Sequence, residues 1–272
     1  MKPLMPVLCA LLSASFAVNA TAQDLTAEEI VANNITARGG LDAWRNIHSM
    51  VWIGHIENTL AGASSLPFAL RMKRPHKTRF EINVQNRISL RLFDGTQGWK
   101  LRATDGPPVV QPYTAEEVIY ARDGPGMDGL LMNYQTQGGT IALDGVDTMD
   151  GRRAYRLDVT LPSGVHRHVW IDTQTFLESK DVRASRNALG KEDTISVYYR
   201  DYDTIDGLRI PRTLETRVNN APATEKMVID RIVLNPPLSD RVFAKPHVPG
   251  QRNRAAATQR AQPMLTGARA AR

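Results

Sequence analysis

Apolar and polar residues alternate along most of this chain, and this pattern limits its fold more than any other feature. Between residues 79 and 92, apolar side chains stand at positions 80, 82 and 84 and again at 88, 90 and 92. Polar side chains lie between them. A period of two places successive side chains on opposite faces of a β-strand. The pattern therefore predicts a large sheet with one apolar face and one polar face.

Roughly a dozen segments carry this pattern, and short turn signals separate them. Asp94-Gly95, Asp150-Gly151 and Asp206-Gly207 are examples of these turns. Because short turns join antiparallel neighbours, most neighbouring strands are expected to pair antiparallel. The predicted strands are residues 50–58, 66–74, 77–85, 87–94, 98–102, 140–149, 153–161, 165–172, 177–185, 193–203, 208–218 and 224–234.

Few helices interrupt the strands. Thr26 precedes Glu29 by three residues, which is a capping box, and apolar residues then follow at helical spacing until Gly39-Gly40 ends the helix. Residues 41–47 are predicted to form one or two further turns. This N-terminal helix presents an apolar face that can cover part of a sheet.

A second helical region divides the strands into two groups. Thr114 and Glu117 form another capping box, which predicts a short helix through Ala121. Residues 127–134 are rich in apolar side chains and are predicted to form a further helix or an apolar loop. Large open sheets curl because their twist accumulates, and their edges invite aggregation. The predicted fold class is therefore mainly β (α+β), a large curved antiparallel sheet that forms an unclosed half-barrel covered by a few helices.

Residues 1–22 have the features of a cleaved export signal. Lys2 precedes a short apolar run, and Ala20-Thr21-Ala22 is a small-x-small cleavage site. An uncleaved membrane anchor is the alternative, but the apolar run is short for a spanning helix. The single cysteine, Cys9, lies in this segment, so the mature chain is expected to contain no disulfide. The protein is predicted to be exported, soluble and periplasmic.

The positive charge of the chain is concentrated outside its body. The 34 basic residues exceed the 28 acidic ones by six, and six basic residues lie in residues 1–22 and 250–272, which contain no acid. Residues 23–249 are therefore neutral overall and are predicted to form one domain. A neutral body argues against nucleic-acid binding. Residues 250–272 are rich in Ala, Gln and Arg and are predicted to be a disordered basic tail.

Four stretches, in this order, carry a resemblance to a known family. They are residues 38–44 (RGGLDAW), 93–99 (FDGTQGW), 169–177 (VWIDTQTFL) and 206–211 (DGLRIP). The chain resembles the LolA/LolB superfamily of bacterial lipoprotein carriers, in particular its longer outer membrane lipoprotein-sorting relatives. The resemblance implies an unclosed β-barrel with a helical lid and an apolar cavity for acyl chains. The chain departs from the family's compact carriers in being longer and in lacking a lipid-attachment cysteine.

A set of apolar residues on the predicted strands and in the predicted lid is the candidate ligand site. Each buried acyl methylene is worth about 0.8 kcal/mol, so about ten would contribute about 8 kcal/mol before the costs of binding. The alternative is that these residues form an ordinary solid core. The candidate residues are Trp52, Leu70, Phe80, Ile82, Leu90, Leu92, Trp99, Leu130, Leu131, Tyr155, Leu157, Val169 and Ile171.

The function predicted from these features is a non-catalytic carrier or binding protein for a lipid or a lipidated protein. Residues 127–134 and the N-terminal helix are the expected lid, and no cofactor or metal is expected. Transient contact with a membrane or a membrane protein is the further partner expected of a carrier, which would act as a monomer. A second hypothesis is a sensor that binds a partner protein, as related RseB-type regulators do.

An enzymatic alternative depends on two histidines. His166 and His168 would lie on one face of a strand together with Asp172, a spacing that a metal-dependent hydrolase could use. The opposite face carries the apolar residues Val169 and Ile171, which predicts that the histidines point outward to solvent. The sequence contains none of the common hydrolase or phosphate-binding motifs.

Overall fold

The computed structural model describes residues 25–57, 65–102, 106–186, 190–219, 221–222 and 225–247. The predicted signal segment and basic tail lie outside these residues, as do Asn58 and Thr224 at the ends of two predicted strands. No helix of the described residues is long and apolar enough to cross a membrane.

The described residues form a mainly β structure with three α-helices. The helices are α1 (Ala27–Ala37), α2 (Leu41–Arg45) and α3 (Ala115–Arg122), and a 3-10 turn follows at Asp240–Phe243. The strands are β1 (Ser49–Glu57), β2 (Ser65–Lys73), β3 (Lys77–Val84), β4 (Arg87–Phe93), β5 (Gly98–Leu101), β6 (Val110–Pro112), β7 (Thr140–Met149), β8 (Arg152–Thr160), β9 (His166–Asp172), β10 (Glu178–Arg186), β11 (Glu192–Ile205), β12 (Leu208–Val218) and β13 (Glu225–Leu234).

All thirteen strands belong to one antiparallel sheet that does not close. Their order is β6-β5-β4-β3-β2-β1-β13-β12-β11-β10-β9-β8-β7. The chain therefore starts in the middle of the sheet, runs outward to the edge strand β6, and crosses to the other edge strand β7 through residues 113–139. It then returns strand by strand until β13 pairs with β1. The predicted half-barrel class is confirmed.

The elements agree closely with the sequence prediction. Both capping boxes are present, with Thr26 and Thr114 accepting from the backbone N–H of Glu29 and Glu117. The short strand β6 was not predicted, because three residues beside Pro107 and Pro108 carry little alternation. Residues 127–134 form turns and not a helix. Gly124 and Gly126 precede this region and Gly129 lies within it, and glycine works against helical propagation.

The concave face of the sheet is filled by two apolar cores that meet at the base. One core lies between α1 and strands β7 to β9 and includes Ile30, Leu131 and Leu157. The other lies between α2 and strands β1, β2, β12 and β13 and includes Trp44 and Met132. Leu131 and Met132 are adjacent in the chain but enter different cores. Residues 125–139 therefore act as a plug between the two arms of the sheet, which are strands β1 to β6 and strands β7 to β13.

A group of partly buried polar contacts fixes this plug. Arg74 forms a two-pronged ion pair with the carboxylate of Asp128, with one nitrogen–oxygen distance of 2.7 Å. Arg38 donates to the backbone carbonyl of Asp128 at 2.6 Å, and its guanidinium lies 4.4 Å from the ring centre of Trp44. Trp44 Nε1 in turn donates to the carbonyl of Arg38 at 3.0 Å. These residues, which we call the base network, join α1, α2, the plug and the end of β2.

The end of α1 lies directly against the turn between β11 and β12. Gly39 has φ +110°, and a Cβ atom there would lie 2.5 Å from the carbonyl oxygen of Gly207. The backbone N–H of Arg209 donates to the carbonyl of Arg38 at 3.0 Å. Glycine is required at position 39 because both the backbone conformation and the close approach exclude a side chain. The first and last of the four family-like stretches therefore meet at the base of the sheet.

The packing of the plug predicts a large stability cost when it is truncated. Leu131 is 1 % exposed, whereas Leu143 on β7 is 37 % exposed. Leu131→Ala should lower the free energy of unfolding by about 2–5 kcal/mol, because it leaves a cavity between α1 and the sheet. Leu143→Ala should cost less than about 1 kcal/mol. Urea unfolding followed by circular dichroism measures both values, and equal small losses would show that the plug is a loose cover.

Candidate functional site

The register of the sheet defines which side chains share the concave face. Trp52 pairs with Leu70, Leu70 with Phe80, and Phe80 with Arg91, which pairs with Lys100. Directly paired residues of an antiparallel sheet point to the same face. The concave face is therefore apolar at β1 to β3 and becomes cationic toward the edge at β4 and β5.

The other arm shows the same change of character. Ile56 pairs with Met227, and Met227 pairs with Leu214, which faces Tyr199 on β11. Farther along this arm the concave face carries Asp181 and Arg183 on β10 and Arg167 on β9. The middle of the concave face is thus apolar, and charged side chains appear on either side of it, on β4 and β5 and on β9 and β10.

A band of half-buried apolar side chains lines the middle of the concave face. Its members are partly exposed to solvent in the described structure, although they pack on the core beneath. We call this band the apolar wall. It consists of Trp52, Leu66, Leu70, Phe80, Ile82, Leu214 and Met227.

Four of the predicted ligand residues, Trp52, Leu70, Phe80 and Ile82, belong to the apolar wall. A second group is also on the concave face but lies beneath α1 and the plug. Leu157, Val169, Ile171 and Leu131 are almost completely buried, and Leu130 and Tyr155 pack against them. This second group forms a solid core, which was the alternative interpretation of these residues.

The remaining predicted residues do not line the concave face. Leu90 pairs with Glu81, and Leu92 pairs with Arg79, so both point to the convex side together with Trp99. They form a small separate cluster with Val110. The prediction that these three residues continue the inward rows is wrong. The two-residue turn at Gln85 and Asn86, both with positive φ, pairs even-numbered residues of β3 with odd-numbered residues of β4.

Helix α3 bridges the two arms across the open side through polar contacts. Glu117 accepts from Lys100 Nζ at 2.8 Å and from Arg91 at 3.1 Å on one arm. The ring of Tyr120 lies 4.4 Å from the guanidinium of Arg183 on the other arm. At the C-terminal end of the helix, Asp123 accepts from the backbone N–H of Ser163 at 3.2 Å. No side chain of α3 is buried, so these contacts hold the helix in place.

The surroundings of Glu117 favour the ionised form of its carboxyl group. Burial alone would raise the pKa of Glu117, but hydrogen bonds from Lys100, the Thr114 backbone and Arg91 outweigh it and hold the pKa below its usual value. A carboxyl group with a lowered pKa stabilises the folded arrangement above its unfolded pKa and loses that contribution as the pH falls. The attachment of α3 to β4 and β5 is therefore stronger at neutral than at acidic pH.

A cavity of about 500 Å³ opens between α3 and the arms of the sheet. This volume lies within the range of small-molecule sites. Its apolar lining comes from Ile119, Tyr120, Leu161 and Val165, and its cationic lining comes from Lys100, Arg102, Arg167, Arg183 and Arg186. Lys100 continues the row of the apolar wall through Arg91, so the cavity lies at the charged end of that face.

The floor of this cavity is sealed by a buried ion pair. Arg167 Nε donates to Asp181 at 3.0 Å, and a second guanidinium nitrogen contacts the other carboxylate oxygen. Burial would lower the pKa of Arg167, but the charge of Asp181 outweighs it and raises the pKa. This guanidinium is engaged within the protein and is not available to an added ligand.

The two histidines of the enzymatic hypothesis point away from the cavity. His168 pairs with Asp158 and Val182 on the convex face, and the side chains of His166 and His168 are exposed. Asp172 accepts from the backbone N–H groups of residues 174 and 175 and fixes the turn between β9 and β10. Among the described residues, no group of three or more His, Cys, Asp or Glu side chains could hold a metal ion.

Comparison with known proteins gives similarity in structure alone. No family model matches the sequence, and no curated protein matches it. A LolA superfamily protein of Nitrosomonas europaea has 15 % sequence identity and a TM-score of 0.52, covering 81 % of this chain and 98 % of that one. An outer membrane lipoprotein-sorting protein domain of Vibrio parahaemolyticus has 11 % identity and a TM-score of 0.52, covering 80 % and 95 %.

A third structure, a DUF1329 family protein of Desulfovibrio piger, has 13 % identity and a TM-score of 0.50, covering 80 % of this chain and 97 % of that one. The chain has a LolA-like fold. The predicted resemblance to this superfamily is confirmed at the level of the fold, and the similarity extends over nearly the whole length of each neighbour.

Sequence reasoning missed the residues that surround the cavity under α3. Arg91 and Lys100 occupy polar positions of alternating strands, so they were expected to face solvent. The capping box explains Glu117 by itself, and nothing in its sequence context indicates its ion pairs across the opening. Counting the residues of the turn between β3 and β4 would have predicted Arg91 on the concave face, because a two-residue turn fixes the register of the two strands.

The contacts of Glu117 predict that its charge holds α3 in place. Glu117→Gln keeps the capping box, since glutamine also serves at this position, but removes the ion pairs with Arg91 and Lys100. Hydrogen exchange of residues 115–122 should become about two- to tenfold faster at pH 7, while global stability falls by less than about 1 kcal/mol.

The matched control is Glu116→Gln, because Glu116 has no salt-bridge partner among the described residues. As the pH falls below the lowered pKa of Glu117, and so well below the usual glutamate value, the unmodified protein and the Glu117→Gln variant should come to exchange at the same rate, since protonation removes the same charge. A difference that persists at acidic pH would mean that shape, and not charge, holds the helix.

Proposed function

We propose that this protein is an exported, periplasmic binding protein or carrier that holds an acyl chain of a lipid or lipidated protein on its apolar wall, without catalysing a reaction. The observation that carries the proposal is the half-buried apolar wall on the concave face, which continues to a cavity under a helix held by polar contacts. Its LolA-like fold and the signal-like N-terminal segment support this role.

The two ends of the concave face are packed differently, which supports different roles for them. The base is filled by α1, α2 and the plug, so it provides a rigid floor. The upper concave face retains apolar side chains that are neither exposed fully nor covered fully. About ten methylenes of a chain laid against these residues would contribute about 8 kcal/mol before the cost of immobilising the ligand.

The cover of the site is α3 in this proposal, and not residues 127–134 as the sequence suggested. The plug is joined to the base network and contains the fully buried Leu131. By contrast, α3 has no buried side chain and contacts each arm through a few ion pairs and one ring contact. Displacing α3 therefore costs much less than displacing the plug, which suits an entry for a ligand.

Two isoleucines of the same hairpin provide a matched test of the apolar wall. Ile82 on β3 belongs to the wall, whereas Ile88 on β4 pairs with Asn83 on the convex side and is 52 % exposed. Ile82→Glu should weaken binding of the neutral fluorescent probe 1-N-phenylnaphthylamine by at least about tenfold, because it places a charge in an apolar site. Ile88→Glu should leave the affinity unchanged.

Fluorescence titration measures the dissociation constants, and circular dichroism with thermal melting establishes that both variants are folded. Equal affinity of the folded Ile82→Glu variant and the unmodified protein would place the ligand site elsewhere. As a direct test, the full chain purified without detergent is extracted with organic solvent, and the extract is analysed by mass spectrometry. A stoichiometric amphiphile is the expected result, and an extract without lipid from protein that also fails to bind the probe would contradict the proposal.

A further inference from the structure

The cations around the cavity under α3 are more numerous than the acids available to pair with them. Lys100 is paired with Glu117, and Arg167 is paired with Asp181. Asp123, the other acid near the helix end, is paired with the neighbouring Arg122. These pairs account for three of the four acids in and beneath the cavity.

Three arginines of the lining are left without such a partner. Within the described residues, Arg102, Arg183 and Arg186 have no carboxylate within salt-bridge distance. The ring of Tyr120 contacts the guanidinium of Arg183 and orients it in the lining of the cavity. The one remaining acid of the lining is Glu116, which lies on the exposed side of α3. The lining of the cavity therefore carries more positive than negative charge.

This excess positive charge lies beside the apolar wall, where it can bind the polar end of a ligand. From the wall, the concave face leads through Arg91 to Lys100 on one arm and through Ile195 to Arg183 on the other. Ile119, Tyr120 and Val165 add exposed apolar surface at the opening. A ligand with its chain on the wall would place its polar end among these arginines, where guanidinium groups form strong hydrogen bonds with carboxylates and phosphates.

We propose that the cavity under α3 is an anion-binding subsite that selects amphiphiles with a negatively charged head group, such as a carboxylate or a phosphate monoester. This inference rests on the proposed function, because it requires the acyl chain to occupy the apolar wall. Arg102, Arg183 and Arg186 contact the head group, and the Lys100–Glu117 pair positions the helix above it.

Paired ligands that differ only in charge test the proposal. Oleate and methyl oleate are added to the full chain as competitors of 1-N-phenylnaphthylamine at pH 8, below their aggregation limits. The unmodified protein should bind oleate about tenfold or more tightly than methyl oleate, a preference that charge-assisted hydrogen bonds readily supply. The preference should shrink in 0.5 M salt, because exposed charges are screened.

A triple variant, Arg102→Gln with Arg183→Gln and Arg186→Gln, should lose the preference and bind oleate and methyl oleate with equal affinity. The matched control removes equal charge elsewhere through Arg153→Gln, Arg231→Gln and Lys245→Gln. Arg153 lies at the end of β8 opposite the cavity, Arg231 is on β13, and Lys245 follows the 3-10 turn. This control variant should keep the full preference.

Each outcome decides one part of the argument. Equal binding of the two ligands by the unmodified protein, or a preference that survives in the triple variant, overturns the anionic subsite and leaves the acyl-chain site standing. Failure of both ligands and of the neutral probe to bind overturns the proposed function together with the subsite. Inorganic phosphate is added as a separate competitor, and displacement of the neutral probe by phosphate alone would show a site for free anions and also overturn the proposal.

Discussion

A curled sheet whose edges do not meet leaves its concave face to be covered by other parts of the same chain. Here the covering is unequal. At the base, α1, α2 and the plug fill the space, and the base network of Arg38, Trp44, Arg74 and Asp128 fixes them together. Toward the open side, α3 is the one described element that crosses from arm to arm. A solid floor and a half-exposed wall therefore result from one constraint, because the helices do not suffice to cover the whole concave surface.

The two coverings differ in the kind of interaction that holds them. The plug is held by the burial of Leu131 and Met132 as well as by the base network, so its displacement requires the core to open. Helix α3 is held by ion pairs and a cation–π contact, which are weaker at partly exposed sites and respond to salt and pH. A helix that moves aside for a ligand is served better by the second kind, because α3 has no buried side chain that its departure would expose.

The sequence predicted twelve of the thirteen described strands, both capping boxes and the class of fold, because these depend on local periodicity and on turn chemistry. The carboxylates of Asp94 and Asp172, in two of the family-like stretches, accept hydrogen bonds from backbone N–H groups within their own turns, as their sequence suggests.

The division of the apolar residues between the two faces of the sheet was harder to predict. Residues 80, 82 and 84 share their parity with 88, 90 and 92, yet the two-residue turn between them sends the groups to opposite faces. The cavity depends on the curvature that brings α3, β5 and β10 together, and no local pattern encodes that approach.

The order of the strands also bears on how the chain reaches its native state. The first strand occupies the centre of the sheet, and one of its two neighbours is the last strand, β13. During synthesis, the hydrogen-bonding edge of β1 therefore stays open until residue 234 has arrived. Pairings between distant parts of a chain form slowly, and an open edge is prone to association with other chains. A chain shortened before β13 would lose the seam that joins its two halves, and each half would present a bare strand to its neighbours.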